Sequence, residues 1–164
     1  MEKDKFKHIV KLPLDCIDEI VEAEPQVEYS DDEIKEVIRD LYNAVDNGTY
    51  YPSIPTEENP ALSDDYIFDT NDEDFILRDL KRENFVGKII DLSKGAIKRK
   101  ARGFPQEYLY VFKYACTLMR RDAYISDFKK EDILIYIKIN NRKTPYNKVY
   151  VVSFHKNRPK ISES

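Results

Sequence analysis

The sequence predicts an α+β domain, an antiparallel sheet of three to four strands packed by helices on one face. Three observations carry that prediction. A capped amphipathic helix occupies 30–48, aromatic and β-branched residues alternate over 107–114, and two apolar-rich runs, Ile133–Ile139 and Lys148–Phe154, flank a polar stretch holding Asn140, Asn141, Pro145 and Asn147. Helices come first and strands last, the order of a sheet with its helices segregated to one side.

The 164 residues suffice for one domain with appendages: an extension over 1–29, the domain over 30–156 and a polar tail over 157–164. Apolar residues make up 41 %, enough for a core, and no run approaches the roughly 18 that a membrane helix needs. The opening MEKDKFKHIVKLP lacks an apolar stretch of signal-peptide length, so a cytoplasmic location without membrane partners is expected. Cys16 and Cys116 lack CxxC or CxxH spacing and read as reduced residues. The charge is uneven: residues 1–85 hold 24 acidic and 9 basic side chains, whereas 86–164 hold 7 acidic and 18 basic. A basic half in an acidic protein marks a polyanion-binding surface, or two halves that neutralise each other in the fold.

In chain order, Phe6, Ile9, Val10, Leu12 and Leu14 suit a short strand or packing arm. Cys16, Ile17, Ile20 and Val21 have helical spacing up to Pro25. Ser30-Asp31-Asp32-Glu33 fits a capping box, with serine oxygen and glutamate carboxylate both satisfying free amides. Ile34, Val37, Ile38, Leu41, Tyr42 and Val45 then form one stripe, and Gly48 suits the left-handed residue that ends a helix. Residues 49–69, with three prolines, read as a long loop running into an acidic stretch. Asp69-x-Asn71-x-Glu73 faintly resembles a calcium loop, but Asp74 stands where glycine is needed and Leu80 where glutamate is needed. A helix start, favoured by carboxylates, is the better reading there. Helical patterns follow over 72–82 and 83–92, then a basic loop with Lys98, Arg99, Lys100 and Arg102. Tyr108, Tyr110, Phe112 and Tyr114 share one face of a strand, suited to stacking on bases or to packing under a helix. Residues 115–130 are ambiguous, with Ala123-Tyr124-Ile125 a candidate strand.

In the run 133–139 the four isoleucines share one face, which turns Tyr136 and Lys138 to the other. The last run ends in Phe154-His155-Lys156. Tyrosine, lysine and histidine on adjacent strands can perform metal-free chemistry on an anion; the same spacing also suits an edge hairpin with a polar face. Other chemistries lack their motifs. There is no GxGxxG, no GxxxxGK[ST], no GxSxG and no histidine in a metal-binding pattern, so neither a cofactor nor a metal is expected. RNA cleavage by its own 2′-hydroxyl fits what remains, because it needs proton transfer and cations alone. His155 and Tyr136 are the candidates for the proton transfers. Lys138 with Lys98 or Arg99 would stabilise the charge on phosphorus, and Lys100, Arg102 and Lys156 would add RNA-binding cations.

The chain also resembles the MqsR family of toxins, within the wider RelE-like group, over roughly 31–156. Five pieces carry the likeness in order: a helix ending Asn47-Gly48-Thr49-Tyr50; Asn59-Pro60-Ala61-Leu62; Ile89-Ile90-Asp91-Leu92-Ser93 with basic residues after it; Ile135-Tyr136-Ile137-Lys138-Ile139; and Val151-Val152-Ser153-Phe154-His155. The resemblance implies a RelE/MqsR-like fold and a metal-independent ribonuclease acting on mRNA, neutralised by an antitoxin protein. Tyr136 matches a family active-site tyrosine, and Lys98 or Arg99 falls near a family lysine. His155 stands where members carry lysine or histidine after Ser-Phe. The departures are a missing sheet glutamine, where only Leu109 or Val111 is available, an apparent insertion over 115–130, and no counterpart for 1–29. A second reading, from another class, is a non-catalytic binding or inhibitor protein on the same scaffold, using its acidic half.

Overall fold

The computed structural model describes residues 9–17, 19, 27–121, 129–143 and 146–157. The protein is an α+β fold with a five-stranded antiparallel sheet and, among the described residues, four helices. The strands are β1 (Val10–Lys11), β2 (Phe85–Ile90), β3 (Tyr108–Met119), β4 (Lys130–Arg142) and β5 (Lys148–Lys156). The helices are α1 (Asp31–Asp46), α2 (Leu62–Asp65), α3 (Thr70–Arg78) and α4 (Lys94–Ala101). β3 pairs with β4 along one edge and with β1 and β2 along the other, and β5 closes the far side of β4. None of the described helices is long and apolar enough to cross a membrane.

The core forms on one sheet face. Ile133, Ile135, Ile137 and Ile139 are fully buried there, beside Phe112, Tyr114, Cys116 and Leu118 of β3. Tyr110, Phe112 and Tyr114 are therefore packing residues and offer nothing to a base. α1 covers this face with Ile34, Val37, Leu41 and Val45, and Ile38 is partly buried at its margin. Ser30 caps α1, its Oγ accepting from the Glu33 amide at 3.2 Å. The second half of the expected capping box is not formed. Glu33 instead accepts from Tyr110 Oη at 2.6 Å and pairs with Lys88, tying α1 to the sheet. Gly48 takes φ +63, the left-handed stop that the sequence called for. Cys16 and Cys116 are both free thiols.

Several sequence expectations are corrected. Residues 85–90 form β2 rather than a helix, because Phe85, Val86, Ile89 and Ile90 have strand propensity and find β3 open for pairing. The helix before it ends earlier, at Arg78. The basic 94–101 segment is a helix rather than a loop, started by Ser93, whose Oγ accepts from the Ala96 amide at 3.3 Å. With β1 and β2 included, the sheet has five strands instead of three or four. β3 runs on to Met119, so the first part of 115–130 is strand; Ala123-Tyr124-Ile125 lies outside the described residues. Cys16 closes a 3-10 turn (Leu14–Cys16), while Ile20 and Val21 lie outside the described residues, as does Phe6. The acidic 55–74 segment is no loose loop. It contains α2, buries Leu62, Tyr66 and Phe68, and is bonded to β3 through the Ile67 amide and the Met119 carbonyl at 2.9 Å. Asp69 serves as the cap of α3, accepting from the Asp72 amide at 3.0 Å.

Truncating the middle of the isoleucine face should be costly. Ile135→Ala is expected to destabilise the protein by about 2–5 kcal/mol, while Val152→Ala, which is exposed, should stay within about 0.5 kcal/mol. Urea unfolding of both variants checks this, and equal effects would contradict the assigned faces.

Candidate active site

Strand alternation turns Tyr136, Lys138, Asn140 and Arg142 away from the core, onto the opposite sheet face. Their partners on β5 are His155, Ser153, Tyr150 and Lys148 respectively. Tyr150 and His155 are five positions apart, so in an unbroken strand they would lie on opposite faces. A register shift between Lys138 and Ile139 adds one residue to β5 and restores them to one face. Such bulges re-aim side chains, and this one leaves Val152 exposed as the extra residue.

The site is built on this ladder. The Tyr136 and His155 rings have centroids 5.6 Å apart at 41°. Lys138 Nζ lies 5.3 Å from the Tyr136 centroid, within cation–π range. Ile89, Leu109 and Val111 pack against Tyr136 and fix where its ring sits. His155 Nδ1 is 3.0 Å from the Lys156 carbonyl. A carbonyl only accepts, so in the neutral ring this contact assigns the proton to Nδ1 and makes Nε2 the basic nitrogen.

A buried polar network next to this ladder holds α4. Asn140 Nδ2 donates to Asp91 Oδ2 at 2.7 Å and to Glu107 Oε1 at 3.0 Å. Asp91 Oδ1 accepts from the Ser93 amide at 2.9 Å, at the cap of α4. Glu107 also holds Arg99 by two bonds, one from Nε and one from Nη2, the latter at 2.9 Å. Burial pushes the Glu107 carboxyl up, but the bonds from Arg99 and Asn140 outweigh it and hold the group below the usual carboxylate range. Asp91, Glu107 and Asn140 are all buried. Sequence reasoning missed all three: Asn140 read as a turn former, and nothing in the spacing links 91, 107 and 140.

The predicted residues are therefore only partly brought together. Tyr136, Lys138 and His155 share one face and adjoin. Arg99 is engaged by Glu107 and acts first as the clasp of α4. Lys98, Lys100 and Arg102 are exposed on α4 and its end, with Lys100 Nζ 2.7 Å from Gln106 Oε1. Lys156 registers with Ile135 on the core side, and its Nζ pairs with Glu131 at 3.0 Å. Beside the β5 edge, Val152–His155 form one wall of a cleft of about 370 Å³. Ile54, Thr56, Asp69 and Glu73 stand on the other side, so the acidic segment borders the histidine. Burial raises the Glu73 carboxyl above its usual range, opposed by the hydrogen bond from Tyr50. Among the described residues, no group of three or more His, Cys, Asp or Glu side chains is placed to hold a metal ion. No family model, curated protein or solved structure matches the chain.

The low Glu107 carboxyl carries a pH consequence. Its contribution to stability is full above the ordinary value of 4.5 and is lost as pH falls through the lowered folded value. Glu33 and Glu131 are lowered too and act in the same direction. Glu107→Gln should cost about 1.5–3 kcal/mol at neutral pH and lose less stability on acidification than the unaltered protein. Thermal unfolding at a series of acidic pH values reads this; parallel curves for the two proteins would contradict it.

Proposed function

We propose that the protein is a metal-independent endoribonuclease of the toxin type, cutting mRNA by attack of the RNA's own 2′-hydroxyl. The observation that carries the proposal is the contact of Tyr136 with His155 beneath the Lys138 ammonium. His155 Nε2 takes the 2′-hydroxyl proton as the 2′-oxygen bonds to phosphorus. The bond from phosphorus to the 5′-oxygen breaks, and that oxygen takes a proton from the Tyr136 hydroxyl, a phenol being able to donate to a developing alkoxide. Lys138 offsets the extra negative charge on the five-coordinate phosphorus, with Lys98 nearby in chain terms to Arg99 on a helix anchored to the same face. The products are a 2′,3′-cyclic phosphate and a 5′-hydroxyl, so atoms and protons balance once solvent exchanges the two side-chain protons.

The resemblance to MqsR-like toxins supports the same reading, and with it an antitoxin protein that covers Tyr136 and His155. The acidic 55–74 segment is an alternative cover in cis, since it borders His155 and carries the opposite charge to the basic face. Its buried Leu62, Tyr66 and Phe68 rule out deletion as a clean test, because removal would open the core. Amide substitution at Glu57, Glu58 and Asp69 isolates the charge, since asparagine at 69 can still cap α3; no gain in RNA binding or cleavage would remove the cover in cis.

Purified protein incubated with a long RNA in EDTA tests the proposal. Cleavage is expected, with cyclic phosphate ends, and His155→Ala or Tyr136→Phe should slow it by roughly 10²–10⁴-fold. Binding to the RNA should weaken steeply as salt rises, through counterion release. Binding without any cleavage would replace the enzyme reading by the non-catalytic binding protein; full activity in both variants would overturn the residue assignment.

A further inference from the structure

The strongest feature outside the Tyr136–His155 pair lies farther along the same face. We propose that Tyr51 and Tyr150, with Arg142, Lys148 and Tyr146 around them, form a stacking subsite for an unpaired base of single-stranded RNA. The proposal rests on the RNA reading above for its substrate class and adds where that strand is held.

Tyr51 follows α1 and is drawn to the β5 edge by two backbone bonds. Its amide donates to the Val149 carbonyl at 2.9 Å and its carbonyl accepts from the Val151 amide at 2.8 Å. This sets the Tyr51 ring on Tyr150, with centroids 4.7 Å apart and planes 20° from parallel. Tyr51 remains 45 % exposed and Tyr146 69 % exposed, so these rings are not absorbed into the core. Cations surround them. The Arg142 guanidinium lies 4.9 Å from the Tyr150 centroid, and its Nη2 donates to Tyr150 Oη at 2.8 Å. Arg142 Nε is buried without a hydrogen-bond partner. Lys148 Nζ sits 5.6 Å from the Tyr51 centroid and 5.8 Å from that of Tyr146. Flat, solvent-facing rings interleaved with cations are the chemistry of single-strand binding, since every base offers a π-face and every linkage a negative charge.

On the α1 side of the sheet edge that Tyr51 borders, a cleft of about 320 Å³ is lined by Asn43, Asn47, Asn141 and Asn147 among others. The one carboxylate in its lining, Asp40, is already held by Lys143 and by Asn141 Nδ2 at 2.9 Å. Amide side chains donate and accept at once, which suits them to the edge of a base splayed out of its stack. Tyr150 registers with Asn140, four residues along β4 from Tyr136. At about 3.3 Å per residue the two sites are roughly 13 Å apart along the ladder. Lys138 lies between them, facing a phosphate of the strand that joins the two. A duplex cannot use this arrangement, because its bases are stacked and paired.

Anisotropy of a labelled, mixed-sequence twelve-nucleotide RNA tests the subsite, with 2′-O-methyl sugars so that cleavage cannot intervene. Tyr51→Ala should weaken binding by about 5- to 150-fold, the equivalent of one base stack at 1–3 kcal/mol. Tyr51→Phe should stay within about two-fold, because stacking needs the ring and not the hydroxyl. The blunt duplex of the same sequence should bind less well and ignore Tyr51→Ala. Unchanged single-strand affinity in Tyr51→Ala, an equal loss on the duplex, or no binding by the unaltered protein would each overturn the subsite. The two proposals fail separately: Tyr51-dependent binding without RNA cleavage in EDTA keeps the subsite and removes the nuclease, whereas cleavage with Tyr51-independent binding does the reverse.

Discussion

The structure depends on the register of β4 between β3 and β5. Four isoleucines at alternate positions must all be buried, and each fully buried one contributes about 1.5–3 kcal/mol. A slip of one residue would move all four out of this core to the opposite face, so the alternation admits one register. The same constraint sets the other face. Tyr136, Lys138, Asn140 and Arg142 point away from α1 because the isoleucines that alternate with them must face it. The layout of the proposed site is thus a consequence of packing on the far side of the sheet.

Two local devices refine that face. The bulge in β5 changes the parity of the strand, so that Tyr150 and His155 both join the β4 residues. Without it, either the histidine or the tyrosine would face the core. The second device is the buried set Asp91, Asn140, Glu107 and Arg99. A buried carboxylate is costly unless paired and hydrogen-bonded, and here Glu107 has both a guanidinium and an amide. Through this set, the cationic helix α4 is anchored to β4 rather than left as a mobile basic segment.

The α+β class, α1 with its serine cap, the glycine stop and the opposed faces of β4 were legible in the sequence, because each rests on local periodicity or capping chemistry. β2 was not legible. Over 85–90, the apolar residues also fit a helical stripe, and only the open edge of β3 decides for strand. α4 was hidden because Gly95 and the closely spaced Lys98, Arg99, Lys100 and Arg102 read as a basic loop and mask the serine cap. The segment 49–69 read as a loop from its prolines, although Leu62, Tyr66 and Phe68 tie it to the core. Within the site, Tyr136 and Lys138 followed from alternation. The bulge, the Asn140 network and the Tyr51–Tyr150 stack are products of tertiary contact, and no spacing announces them.

The contact between Tyr136 and His155 is the point on which the register, the bulge and the proposed chemistry all converge. A nuclear Overhauser measurement between their ring protons reads it in solution. With centroids 5.6 Å apart, a clear ring-to-ring cross-peak is predicted between Tyr136 and His155. Its absence, with cross-peaks from His155 to Ile135 or Ile137 instead, would place the histidine on the core face and contradict the account.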